Sequence, residues 1–177
     1  GTKNYSQKLL PFSVASFFVS RVDTEIDKLL VDKDKNHKLL GKTAIINSRL
    51  AYITFLKKFP NQNKKPLQKP LWGSTSTKNP KYSDSLYIDK LIAPNTVNTV
   101  PLDAIEKFAK TGKPENYNGW NEKEILSQLS DLNKIGINLN QITEDLQTKG
   151  VQLFSDSFDN LINSIESKIN NIQTQAI

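Results

Sequence analysis

The chain has 177 residues, 37% hydrophobic and 24% charged, which describes one soluble globular domain and excludes an intrinsically disordered chain. Its formal net charge is +6, with no cysteine and a single histidine, His37. Disulfides and thiolate metal sites are thereby excluded, and neither a multi-histidine metal site nor a Ser-His-Asp triad has spare partners.

Along the chain, Pro11 to Val19 ("PFSVASFFV") is short, apolar throughout and rich in β-branched and aromatic residues. That composition predicts a parallel strand covered on both faces. A helix is expected next, capped by Asp23 or Thr24, with Ile26, Leu29 and Leu30 on one face; "VDKDKNHK" should end it. The apolar spacing of Leu39, Leu40, Ala44, Ile46, Leu50, Ala51 and Ile53 predicts a longer helix from about His37 to Phe59.

The segment from Lys57 to Pro70 holds five lysines and three prolines and no acid. Its proline, asparagine and glutamine predict a surface loop that carries much of the excess charge. Stacking aromatics are missing there, so it reads as a solvated loop and not as a nucleic-acid surface.

Leu71 to Pro80 ("LWGSTSTKNP") reads as a short strand dissolving into hydroxyl residues. Asp84 to Ala93 is compatible with a short helix capped by Ser83 or Asp84, and Asn95 to Val100 with another strand. Pro101 opens a helix that Gly112 closes. Asn121 caps one running from Glu122 to about Ile135, which should bury Ile125, Leu126, Leu129 and Leu132. A short helix from Gln141 to Lys149 should stop at Gly150, before a last helix whose apolar face runs from Phe154 to Ile172.

Strands alternating with helices imply a parallel sheet and an α/β architecture. Three strands with this much helix leave edges and faces poorly covered, so the sequence reads as part of a larger α/β unit.

All three strands exit into polar residues: Ser20 and Arg21, then Ser74 to Lys78, then Asn98 and Thr99. Active sites of parallel α/β folds collect at such ends. An arginine at one end and a lysine amid hydroxyls at the next suit a phosphate. The bland reading is that Arg21 pairs with Asp23 or Glu25 on the surface and that the "STST" run is a flexible loop.

The stretches "SVASFFVSRVDTEIDK", "PLWGSTSTKNPKYSDSLYIDKL" and "APNTVNTVP", with "GKTAIINSRLAY" and "GVQLFSDSFDNLI", resemble the C-terminal part of bacterial transaldolases. The resemblance covers nearly the whole chain. It implies the C-terminal portion of a TIM (β/α)8 barrel, here the sixth, seventh and eighth strands over 1–177 as a single unit, with the N-terminal strands missing.

The family transfers a dihydroxyacetone unit between sugar phosphates through a lysine Schiff base, without metal or organic cofactor. The protonated imine serves as electron sink when the carbon-carbon bond breaks. The implied substrates are sedoheptulose 7-phosphate, fructose 6-phosphate, glyceraldehyde 3-phosphate and erythrose 4-phosphate.

Position by position, Ser16 matches the family serine that faces the substrate, and Arg21 the arginine that binds its phosphate. Lys78 stands where many relatives carry arginine, with Ser76 as a neighbour; lysine binds phosphate as a point charge but makes no bidentate contact. No segment like the one holding the Schiff-base lysine occurs here, so no catalytic residue is expected in this chain and that lysine is expected upstream. Lys90 lies outside the strand ends and is no substitute.

The partners expected are sugar phosphates and either the missing part of the barrel or a second copy. Neither nucleic acid nor membrane is expected as a partner, and the setting expected is the cytoplasm. An aldolase that releases dihydroxyacetone and a non-catalytic basic binding protein stand as alternatives.

Overall fold

The computed structural model describes residues 12–60 and 68–175, with side chains to residue 171. Contacts divide the chain into two compact units, residues 1–139 and 140–177.

The apolar run forms strand β1 over Ser13–Phe18, and helix α1, Val19–Lys33, starts at the next residue. Pro11, the expected start, lies outside the described residues. Strand β2 spans Gln68–Gly73 and β3 Val97–Asn98, and the sheet has the order β1-β2-β3 with both pairings parallel. Ser16 stands opposite Leu71, Phe18 opposite Gly73, and Trp72 opposite Asn98. The expected α/β alternation and parallel sheet are present.

The expectation that β1 is covered on both faces does not hold. Val14 is 45% and Phe18 42% exposed, and Ser16 is exposed as well. β1 is an edge strand, paired only with β2 among the described residues. Its alternate residue Phe17 turns to the other face, where its ring meets Trp72 edge-on at 6.1 Å. Trp72 is buried there, and its indole N–H donates to the Leu91 carbonyl at 3.1 Å. Leu91 ends helix α3, Leu86–Leu91, which is shorter than expected and has Ser85 at its N-cap position.

Helix α2, Thr43–Lys58, begins later than its apolar spacing predicts, because residues 37–42 form tight turns instead. Gly41 causes the delay: its φ of +66° is left-handed, and a Cβ there would lie 2.7 Å from Cζ of Tyr82. The buried residues of α1 (Val19, Val22, Ile26, Leu30) and of α2 (Ala44, Ile45, Ile46, Ile53, Phe55) supply much of the core. Each aliphatic side chain so buried stabilises the fold by about 1.5–3 kcal/mol.

The lysine-rich segment is partly regular. Lys57 and Lys58 end α2 and Gln68 to Pro70 open β2, while residues 61–67 lie outside the described residues.

Helix α4 spans Leu102–Thr111, with Pro101 and Gly112 at its two cap positions. Helix α5, Glu122–Lys134, has the expected cap: Asn121 Oδ1 accepts from the amides of Lys123 and Glu124 at 3.0 and 3.4 Å. Its Ile125 and Leu132 are buried, but Leu126 is 49% exposed, on the solvent side of a stripe narrower than expected. α5 packs on α2.

In the second unit the expected stop at Gly150 is absent. One helix, α6, runs from Leu139 to Gln175 straight through it. Glycine in a helix interior costs only about 1 kcal/mol relative to alanine, which the turns on either side of Gly150 absorb. Phe154, Phe158, Leu161 and Ile165 on this helix are exposed. No helix among the described residues is long and apolar enough to cross a membrane.

Candidate functional site

Parallel pairing in this register brings the three strand exits side by side, and hydrogen bonds then stitch them together. The Ser20 amide donates to the Ser74 carbonyl at 3.1 Å, joining the start of α1 to the exit of β2. Thr75 Oγ1 donates to Asn98 Oδ1 at 3.0 Å, and the Thr99 amide to the Trp72 carbonyl at 3.0 Å. Thr75 and Ser20 are buried, and Ser74 is held at a φ of +53°, a costly conformation for a residue with a side chain. The hydroxyl run after β2 is therefore a fixed ledge in its first half, not a flexible loop.

Arg21 is the third residue of α1, and its guanidinium carbon lies 4.5 Å from the centre of the Phe18 ring. The surface pairing weighed for it does not form. Glu25 pairs with Lys28 at 3.1 Å, Asp23 is turned inward, and Arg21 has no ion pair among the described residues. Ser16 and Phe18 alternate with Phe17 and so share the sheet face turned away from Trp72. The structure thus brings Ser16 and Arg21 to one side of the sheet through Phe18.

Lys78 is placed differently. It is exposed and lines a cavity of about 410 Å³ with Asp23, Asp27 and Asp32 of α1 and with Tyr82 and Tyr87; Arg21 does not line this cavity. Ser76 lies half-buried in the bend between Thr75 and Lys78.

Asp23 has another role than the cap expected for it. It lies in the body of α1 and is buried; the N-cap position is Phe18, whose extended backbone leads straight into the helix. Asp23 Oδ1 accepts from the Ala44 amide at 2.6 Å and Oδ2 from the Tyr87 hydroxyl at 2.9 Å. One turn later, Asp27 accepts from the Gly41 amide at 3.0 Å and from the Tyr82 hydroxyl at 2.7 Å.

Burial pushes the Asp23 carboxyl up to about 7 and raises that of Asp27 as well. It also raises both tyrosine hydroxyls, with the facing carboxylates adding to the effect. This network behind the strand ends was not anticipated from the sequence. Two acids four apart, on the face of α1 that also carries Val19, Ile26 and Leu30, were its available signal.

A family profile described as "Transaldolase/Fructose-6-phosphate aldolase" matches residues 7–165. The chain belongs to this transaldolase/fructose-6-phosphate aldolase family. Among its relatives, the transaldolase of Trichodesmium erythraeum is 40% identical over 177 residues, covering 89% of this chain and 46% of that protein. The transaldolase of Parafrankia sp. is 40% identical over 167 residues, covering 89% of this chain and 45% of that protein. That of Mycobacterium tuberculosis is 39% identical over 162 residues, covering 85% and 43%. The chain spans about half the length of the curated transaldolases it matches.

Proposed function

We propose that this chain is the C-terminal, phosphate-holding part of a transaldolase barrel, contributing its sixth, seventh and eighth strands as β1, β2 and β3. Arg21 grips the substrate phosphate, Ser16 contacts the sugar, and Lys78 and Ser76 approach from the next strand exit. The substrates are the ketose phosphates sedoheptulose 7-phosphate and fructose 6-phosphate, with glyceraldehyde 3-phosphate and erythrose 4-phosphate as acceptors. The Schiff-base lysine is supplied from outside this chain.

One observation carries this reading. Arg21 is stacked on Phe18 at a parallel-strand exit, on the face that bears Ser16, without a carboxylate partner among the described residues. A guanidinium held in place but unneutralised is what phosphate recognition requires. The open edge of β1 and its exposed Val14 and Phe18 support the further point that the remaining barrel strands pair there. The related aldolase reading uses the same residues and differs in releasing free dihydroxyacetone, which the family description leaves room for.

The test is titration of the chain with fructose 6-phosphate and with fructose, followed by NMR. Phosphate-dependent shifts at Ser16 and Arg21 support the assignment, and equal response to both sugars overturns it. Joining the chain to the N-terminal part of a related transaldolase and assaying with and without an aldehyde acceptor separates transfer from release.

A further inference from the structure

The helix layer contains a second cavity, of about 430 Å³, to which no strand contributes. It lies between the turn before α2, one side of α2 and the segment leading into α3, with Gln128 of α5 at its rim. Its volume is within the range of about 300–1,000 Å³ typical of small-molecule sites.

Two features define its chemistry. Four cations line it, Lys42, Arg49, Lys81 and Lys90, against one carboxylate, Glu115, which leaves three positive charges. Glu115 is already committed: it accepts from Arg49 Nη2 at 3.2 Å and from Lys90 Nζ, and the Lys90 contact is the first cause of its lowered pKa. Lys42 and Lys81 make no ion pair among the described residues. The second feature is an apolar wall of Leu40, Ile45, Ile46 and Leu86.

Arg49 is held in place on the wall of this cavity. Its Nη2 also donates to the Lys90 carbonyl at 3.0 Å, and its guanidinium carbon sits 5.1 Å from the Trp120 ring centre. Its Nε is buried without a hydrogen-bond partner among the described residues. A buried donor left unpaired is costly, and sites built to bind anions carry such donors. Three uncompensated charges suit a dianion better than a monocarboxylate, and the aliphatic wall suits a ligand with an apolar body.

We propose that this cavity is a second anion site, distinct from the strand ends, that binds an organic phosphate monoester with an apolar body. The phosphate lies among Lys42, Lys81 and Arg49, and the body lies on Ile45, Ile46 and Leu86. The site does not depend on the function proposed for Arg21, since none of its lining residues belongs to a strand or a strand exit.

The probe is phenyl phosphate, titrated into the full 177-residue chain at low ionic strength, with chemical shifts followed by NMR. The expected result is saturable binding with shifts at Ile45, Ile46 and Arg49, weaker binding of inorganic phosphate and none of phenol. The double variant Lys42→Gln/Lys81→Gln, both at exposed positions, should weaken binding at least tenfold, whereas Arg21→Gln should leave it unchanged. Absence of saturable binding overturns the proposal, as does full retention in the double variant. Loss of binding in Arg21→Gln would also overturn it, by placing the phosphate at the strand ends and so supporting the reading of Arg21. A chain that binds phenyl phosphate but not fructose 6-phosphate would sustain this site and reject that reading.

Discussion

The Asp23 carboxylate accepts a hydrogen bond from the Tyr87 hydroxyl at 2.9 Å, joining residues 64 positions apart. This bond ties α1, two residues beyond Arg21, to the helix that follows the Lys78 loop. Asp27 and Tyr82 repeat the arrangement one turn on, at 2.7 Å. Both candidate phosphate ligands therefore hang on elements that two carboxylates, the buried Asp23 and the half-buried Asp27, hold together.

That pair makes stability depend on pH. With its carboxyl raised from 3.8 to about 7, Asp23 binds its proton more tightly folded than unfolded. Its contribution is fully present below pH of about 3.8 and is lost as pH rises through about 7. Asp27 is shifted in the same direction. Urea unfolding between pH 4 and 8 should show stability falling with rising pH, and Asp23→Asn should flatten the slope. An unchanged slope in that variant would remove Asp23 as the cause.

Tyr87→Phe leaves the Asp23 carboxylate one donor short in a buried setting. A loss of about 1–3 kcal/mol at neutral pH is expected, the usual cost of stranding a buried polar group. The loss should shrink at low pH, where Asp23 is protonated. A pH-independent loss would point to packing alone.

Gly41→Ala should be costly for two separate reasons. The left-handed backbone at φ +66° disfavours any side chain by about 1–2 kcal/mol. The new Cβ would also meet the Tyr82 ring at 2.7 Å and disturb its bond to Asp27. Denaturation that matches the unsubstituted chain would contradict both.

Arg21→Gln separates function from folding. The side chain is stacked on Phe18 but has no ion pair among the described residues, so the melting temperature should hardly move. Affinity for a sugar phosphate should fall at least tenfold, and Arg21→Lys should recover only part of it because the bidentate contact is gone. Calorimetry on the three chains reads this directly, and equal affinities would remove Arg21 from the phosphate site.

Asn121→Ala tests the side-chain cap that the sequence predicts for α5. Losing its bonds to the Lys123 and Glu124 amides should cost about 1 kcal/mol, seen as a lower urea midpoint. No change would mean that water replaces the cap fully.

Several features were legible because they follow from local chemistry. Asn121 before an acidic first turn caps a helix wherever it occurs, and β-branched runs alternating with helical periodicity make a parallel α/β sheet. The family was legible as well, through long segments such as "SVASFFVSRVDTEIDK" in the right order. Gly150 was misread since the same residue ends one helix and passes through another, and only the surrounding turns settle which. Leu126 was misread since periodicity gives the direction of a buried stripe but not its width.

By itself, then, the sequence determined the kind of elements, their order and the family, because propensity, capping and apolar period act over a few residues. Tertiary structure decided what each polar group does. Whether Asp23 caps a helix or accepts bonds inside the core depends on Ala44 and Tyr87, which arrive from elsewhere in the chain. Whether Arg21 is neutralised depends on where Asp23 and Glu25 turn, and both turn away from it. Burial and electrostatics are sums over neighbours in space, and those neighbours exist only once the strands have paired.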